Sequence, residues 1–276
     1  MASCKLLAVL VLVHNFEGLL GAEVKSSIIG GNDAANGKWE WMVQLNITSD
    51  GTIMWGCGGT VLNDWWVLTA ASCWDDELKV NLARAMVLVG VHSLDDGAKR
   101  YMGVQHVIKH PQYRSFKGGS VNNIALIKLK KKLILKSKTE QVTLPYDNED
   151  FDESSECWVT GWGKVGTSEL PYPRTLQEVK VPIVPTDVCK AEYYWLTSDV
   201  LCAGDMSGNK DACKGDEGGP LVCKTRRGLV QAGIVSYGNA EGCGRPNHPS
   251  VYTRVSKFLT FINGYIHRGE DASAEV

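Results

Sequence analysis

Gly215-Asp216-Glu217-Gly218-Gly219-Pro220 is the stretch whose reading decides this chain. Two adjacent carboxylates sit in a frame of turn-forming glycines and a proline. Outward from it the chain reads as short strands and turns. Residues 86–91, 124–129, 158–161, 179–184 and 230–236 are β-branched or aromatic-rich runs bounded by Gly, Pro, Asn or Asp. One helix is expected near the end, where Val255, Phe258, Leu259, Ile262 and Ile266 fall at helical spacing on one apolar face. No internal repeat is visible. Strand patterning alone gives an all-β barrel or sandwich.

The chain has 276 residues and a formal charge of −2, so no global field draws it to nucleic acid or an anionic membrane. Residues 1–22 read as a secretory signal peptide: one early lysine, a short apolar core over residues 6–13, then the small residues Gly21 and Ala22. That apolar run is too short to span a bilayer, and no later stretch does so. Residues 23–27 are left as a short propeptide-like segment. Residues 268–276 form a polar, acidic tail without the features of a lipid anchor. Secretion, or storage in a secretory granule, is the expected location. Of nine cysteines, Cys4 lies in the leader and eight remain, an even number suited to an oxidising compartment. Neither a metal nor a cofactor is expected, because no Cys-x-x-Cys or clustered His accompanies these thiols.

Several motifs resemble the chymotrypsin/trypsin-like serine protease family. They are Ile28-Ile29-Gly30-Gly31, Cys57-Gly58-Gly59-Thr60, Cys157-Trp158-Val159-Thr160-Gly161-Trp162-Gly163, Leu201-Cys202-Ala203-Gly204 and Val251-Tyr252-Thr253-Arg254-Val255. Trp39, Trp41 and Pro182 look most like the tryptase–prostasin branch. The resemblance runs from about Ile28 to Ile266. It implies two six-stranded antiparallel barrels, at about 28–144 and 157–254 of a domain spanning 28–267, with a C-terminal helix. The acidic residues 145–156 would connect the halves. It also implies the disulfides Cys57–Cys73, Cys157–Cys223, Cys189–Cys202 and Cys213–Cys243.

The same resemblance locates three catalytic positions, and all three are substituted. Ser72 stands where Leu68-Thr69-Ala70-Ala71-Ser72-Cys73 would carry the general-base His. Asn123 stands at the buried Asp, and Glu217 at the nucleophilic Ser. A triad works because an imidazole takes the serine proton while a carboxylate orients it. Ser72 is no general base near neutral pH, and Asn123 brings no charge. Disabling such a triad costs on the order of 10⁶ in turnover. The backbone N–H groups of Gly215 and Glu217 would survive as an oxyanion-hole-like pair, toward which the Glu217 carboxylate is able to fold.

Other site residues follow from the resemblance. Ile28 and Asp216 would form the activation pair, but Ser27 replaces the basic residue before the cut and the nearest lysine is Lys25. An uncut chain is therefore expected in a zymogen-like arrangement. Asp211 would be the pocket carboxylate. Ser236, Tyr237 and Gly238 match the substrate-binding strand, and Ser250 replaces a pocket-wall glycine and narrows the slot. Asn46-Ile47-Thr48 is an N-glycosylation triplet. Lys128, Lys130, Lys131, Lys132, Lys136 and Lys138 form a basic patch, read either as an anionic-glycan site or as a lysine-guarded edge strand close to the acidic stretch. The expected function is a secreted, catalytically inactive serine protease homologue. It would bind a protein (a protease, inhibitor or receptor) or a glycan. The alternative is a residual or unorthodox serine-type endopeptidase with trypsin-like preference.

Overall fold

The computed structural model describes residues 28–52, 54–135 and 139–266. The leader and propeptide-like residues 1–27, Lys136, Lys138 and the tail lie outside the described residues. The first half supplies β1 (Asn32–Asp33), β2 (Met42–Thr48), β3 (Met54–Val61), β4 (Trp66–Thr69), β5 (Met86–Val89), β6 (Arg100–Lys109), β7 (Arg114–Phe116), β8 (Gly119–Val121) and β9 (Ala125–Leu129). The second supplies β10 (Cys157–Gly161), β11 (Gln177–Val181), β12 (Ile183–Val184), α1 (Thr186–Glu192), β13 (Val200–Ala203), β14 (Pro220–Thr225), β15 (Gly228–Tyr237), β16 (Ser250–Arg254) and α2 (Leu259–Ile266).

Six strands close the first barrel in the order β2-β3-β4-β9-β6-β5. Strand alternation builds its interior: Val43, Leu45 and Ile47 of β2 are fully buried, while Asn46 between them is half-buried. The second sheet runs β1-β11-β10-β14-β15-β16-β13-β12. Only Pro182 separates β11 from β12. β11 pairs with β10 and β12 pairs with β13, so the segment bridges both sides of the sheet. Proline has no N–H to donate, which breaks the ladder there. The continuous segment therefore completes a second ring of six strands, with β1 added outside.

Three expectations are corrected. β1 pairs with β11, so the chain near Asn32 joins the second sheet rather than the first barrel. β9 is no edge strand, since it lies between β4 and β6 inside the closed barrel. Among the described residues, no ion pair joins the acidic connector to the lysine patch. Its carboxylates pair with second-half cations: Glu149 with Arg227, Asp150 with Arg254 at 2.5 Å, and Glu156 with Lys180 at 2.8 Å.

The helix begins as a 3₁₀ turn over Val255–Phe258 and continues as α2. Val255, Phe258, Leu259 and Ile262 are buried in the same core cluster as the first barrel's Val43 and Leu45. The chain thus leaves the last strand of the second sheet and straps back onto the first core. All eight cysteines among the described residues are paired, in the four bridges Cys57–Cys73, Cys157–Cys223, Cys189–Cys202 and Cys213–Cys243.

Candidate functional site

Ser72 lies in the 3₁₀ turn Ala71–Trp74 just after β4, pinned to β3 through Cys57–Cys73. Asn123 lies between β8 and β9, after Asn122 has turned the chain with a left-handed φ of 49°. The fold brings the two side chains together. Asn123 Oδ1 accepts the Ser72 backbone N–H at 2.8 Å. A backbone N–H can only donate, so this contact orients the amide. Asn123 Nδ2 then donates to Ser72 Oγ at 3.0 Å and to Ser236 Oγ at 2.8 Å. Asn123 is 2% exposed, and both its amide hydrogens and its oxygen are used. The cluster is neutral and closed on itself.

Sequence reasoning gave two of its members no role in the site. Ser120 Oγ lies 3.3 Å from Ser236 Oγ, and Thr253 Oγ1 donates to the Asn123 carbonyl at 2.8 Å. Ser120 is an isolated serine outside any motif, and the motif that contains Thr253 does not report its bond to Asn123, 130 residues away.

The opposite wall is the loop that holds Asp211, Asp216 and Glu217. It docks on the first barrel, where the Gly58 N–H donates to the Glu217 carbonyl at 2.7 Å. Gly218 is required there, with φ at 81° and a Cβ that would stand 2.5 Å from the Gly58 carbonyl oxygen. The Gly215 N–H donates to Glu217 Oε2 at 2.6 Å. The side chain of residue 217 therefore turns back onto its own loop. Burial pushes its carboxyl pKa up, while the backbone N–H groups of Glu217 and Gly215 pull against that rise.

Asp216 is completely buried and accepts backbone N–H groups from Gly163 and Cys213, each at 2.9 Å. Burial pushes its pKa up to about 7 against those donors, and the neighbouring charges of Glu217 and Asp211 add to the rise. The motif around Trp162 explains how it fits. A Cβ at Gly161 would overlap Asp216 Oδ1, and one at Gly163 would stand 2.6 Å from its Cγ. Ile28 is also fully buried, in the core cluster that holds Val159 and Leu221. Ile29 and Asp211 exchange backbone hydrogen bonds at 3.1 and 3.3 Å. The Ile28 segment is thus seated by an apolar cluster around Ile28 and by the β-bridge between Ile29 and Asp211.

Asp211 is 4% exposed. Ser250 Oγ donates to its Oδ1 at 2.6 Å, and the Gly244 N–H to its Oδ2 at 2.9 Å. Burial raises its pKa, opposed by these hydrogen bonds. A Cβ at Gly238 would stand 3.0 Å from Ser250 Oγ. Ser250 thus caps the Asp211 carboxylate with an internal donor. Ser72, Gly215, Glu217 and Ser236 line a cleft of about 740 Å³, whereas Asp211 does not. Among the described residues, no histidine lines that cleft. Its ionisable walls are Glu217, Glu169, Lys164, Lys214 and Arg174. Among the described residues, no cluster of three or more His, Cys, Asp or Glu is placed to hold a metal ion.

Elsewhere, Lys132 is paired with Asp64 at 2.9 Å, and Lys128 lies over the rings of Trp65 and Trp66. Of the described patch, Lys130 and Lys131 remain as exposed lysines without such an arrangement. Next to Ser236 in the chain, the Tyr237 hydroxyl accepts from Trp195 Nε1 at 3.2 Å, and Phe116 and Tyr194 meet Trp195 edge-on. Among the described residues, no helix is long and apolar enough to cross a membrane.

The sequence model of the family described as Trypsin matches residues 28–262. The chain is similar to a tryptase of Mus musculus, 36% identical, with 92% of this chain and 93% of the relative covered. It is also similar to coagulation factor XI of Bos taurus, 36% identical, with 87% of this chain covered but only 38% of that longer relative.

Proposed function

The chain belongs to the trypsin family, and we propose that it is a catalytically silent member, secreted or granule-stored, that acts by binding. The observation that carries this reading is the Gly215 N–H donated to Glu217 Oε2. In this family's chemistry such a donor serves the developing oxyanion. Here a carboxylate of the protein itself holds it, at the position a nucleophile would need. The neutral Ser72–Asn123–Ser236 cluster supports the same reading, because none of its groups accepts a proton near neutral pH. The buried Asp211–Ser250 contact supports it again, since a cationic side chain would have to displace an internal donor.

Binding through a protein surface is favoured over a glycan. Of the four described lysines of the patch, Lys132 is paired with Asp64 and Lys128 lies over Trp65 and Trp66, whereas Tyr194 is 83% exposed at the end of the aromatic row Tyr237–Trp195–Tyr194. Exposed aromatics on a rigid base are the side chains that dominate protein interfaces. A fluorophosphonate probe tests the silent part: neither the wild-type chain nor Glu217→Ser should be labelled. Labelling of Glu217→Ser would show that a base exists where the reading has none. For the binding part, a protease, inhibitor or receptor held by the wild-type chain should be released by Tyr194→Ala and retained by Lys131→Ala. The reverse pattern would assign the contact to the basic patch.

A further inference from the structure

We propose that Asn46 carries an N-linked oligosaccharide whose first sugars stand in the mouth of the Glu217 cleft. Asn46 belongs to β2, where Val43, Leu45 and Ile47 point into the barrel and Asn46 points out. Its side chain lines the same 740 Å³ cleft as Ser72 and Glu217. Its neighbour across β3 is Gly56, which has no side chain to crowd it, and across β5 it is the exposed Met86. The triplet Asn46-Ile47-Thr48 is the acceptor pattern. Four disulfides place the chain in the compartment where that pattern is modified.

The step is a glycosyl transfer from a lipid-linked oligosaccharyl diphosphate. Asn46 Nδ2 forms a bond to the anomeric carbon of the first N-acetylglucosamine. The bond from that carbon to the diphosphate breaks, the diphosphate leaves with the electron pair, and the amide gives one proton to a base of the transferase. In the folded protein Thr48 is buried, and its hydroxyl accepts the Gly51 N–H at 2.7 Å. The transfer therefore precedes barrel closure. A glycan fixed there excludes bulky partners from the Asn46 side of the cleft. This deepens the binding reading, on which it rests, by stating which face is denied to a partner. Its tests use no turnover, so its failure is distinct from failure of that reading.

The experiment uses the full chain secreted from mammalian cells. Peptide N-glycosidase F should lower its mass and convert Asn46 to aspartate, with Thr48→Ser keeping the modification and Asn46→Gln abolishing it. Lys214, which lines the cleft, is then acylated with acetyl succinimidyl ester or with a long polyethylene-glycol succinimidyl ester, using Lys130 as reference. The small reagent should give one Lys214/Lys130 ratio for glycosylated and enzymatically deglycosylated protein. The large reagent should react several-fold more at Lys214 after deglycosylation. Unmodified Asn46 in the secreted chain overturns the site. A modified Asn46 with no change in the large-reagent ratio overturns its placement over the cleft.

Discussion

The two walls of the cleft solve opposite problems. On one wall, Ser72 and Asn123 of the first half and Ser236 of β15 are neutral and joined by hydrogen bonds through the Asn123 amide. On the facing side, Glu217 lines the cleft with Asp211 and Asp216 buried behind it, three carboxyls within seven residues, and burial raises the pKa of each. A working triad needs a charge on the first wall and a neutral hydroxyl on the second. This chain has the reverse. Removing the Asn123 amide would leave polar groups unpaired, whereas neutralising a carboxyl on the other wall would remove a cost. The contrast shows that the cleft is a settled polar arrangement of its own rather than a triad with one part missing.

The largest expected effect breaks the carboxyl wall by crowding it. Gly161→Ala forces a Cβ onto Asp216 Oδ1 and should destabilise the fold by ~3 kcal/mol. Urea unfolding measures it, and a double variant with Asp216→Ala should recover much of the loss, because the two sites share one clash. On the neutral wall, Asn123→Leu leaves the Ser72 N–H and the Ser236 hydroxyl without their partner, a loss of ~2 kcal/mol in the same assay.

The third prediction separates the walls by pH. An unfolded aspartate ionises near about 3.9, and folded Asp216 near about 7. Between those values the folded chain holds a proton that the unfolded chain has released. Stability should therefore be fully present below the lower value and fall as pH rises through the window. Asp216→Asn should flatten that fall in chemical denaturation series, whereas Ser72→Ala should leave its slope unchanged. The smallest effect lies away from both walls: Lys132→Ala removes an exposed pair with Asp64 and should change stability by less than about 1 kcal/mol.

Much of the architecture was legible because it is written in local motifs. Cys157-Trp158-Val159-Thr160-Gly161-Trp162-Gly163 carries its reason on its face once Asp216 is seen lying against the two glycines. The α2 face was legible from its 3.6-residue spacing, since Leu259 and Ile262 are buried as that spacing requires. What stayed hidden depends on long-range pairing. The position of β9 inside a closed barrel is fixed by β4 and β6, tens of residues away, so its lysines read wrongly as an edge. Ser250 was visible as a bulky substitution, but its bond to Asp211 spans 39 residues and needs the folded β16. Ile28 was legible only as a partner for Asp216, whereas its packing in the cluster of Val159 and Leu221 is an apolar matter that the cleavage motif does not report.

The most direct measurement is turnover of a Lys- or Arg-containing amide substrate by the purified wild-type chain, full-length and trimmed to begin at Ile28, beside Glu217→Ala. Glu217 holding the Gly215 N–H, with no proton acceptor on the facing wall, predicts background hydrolysis from all three. Reproducible turnover by either wild-type form that Glu217→Ala abolishes would contradict it and make Glu217 a catalytic residue.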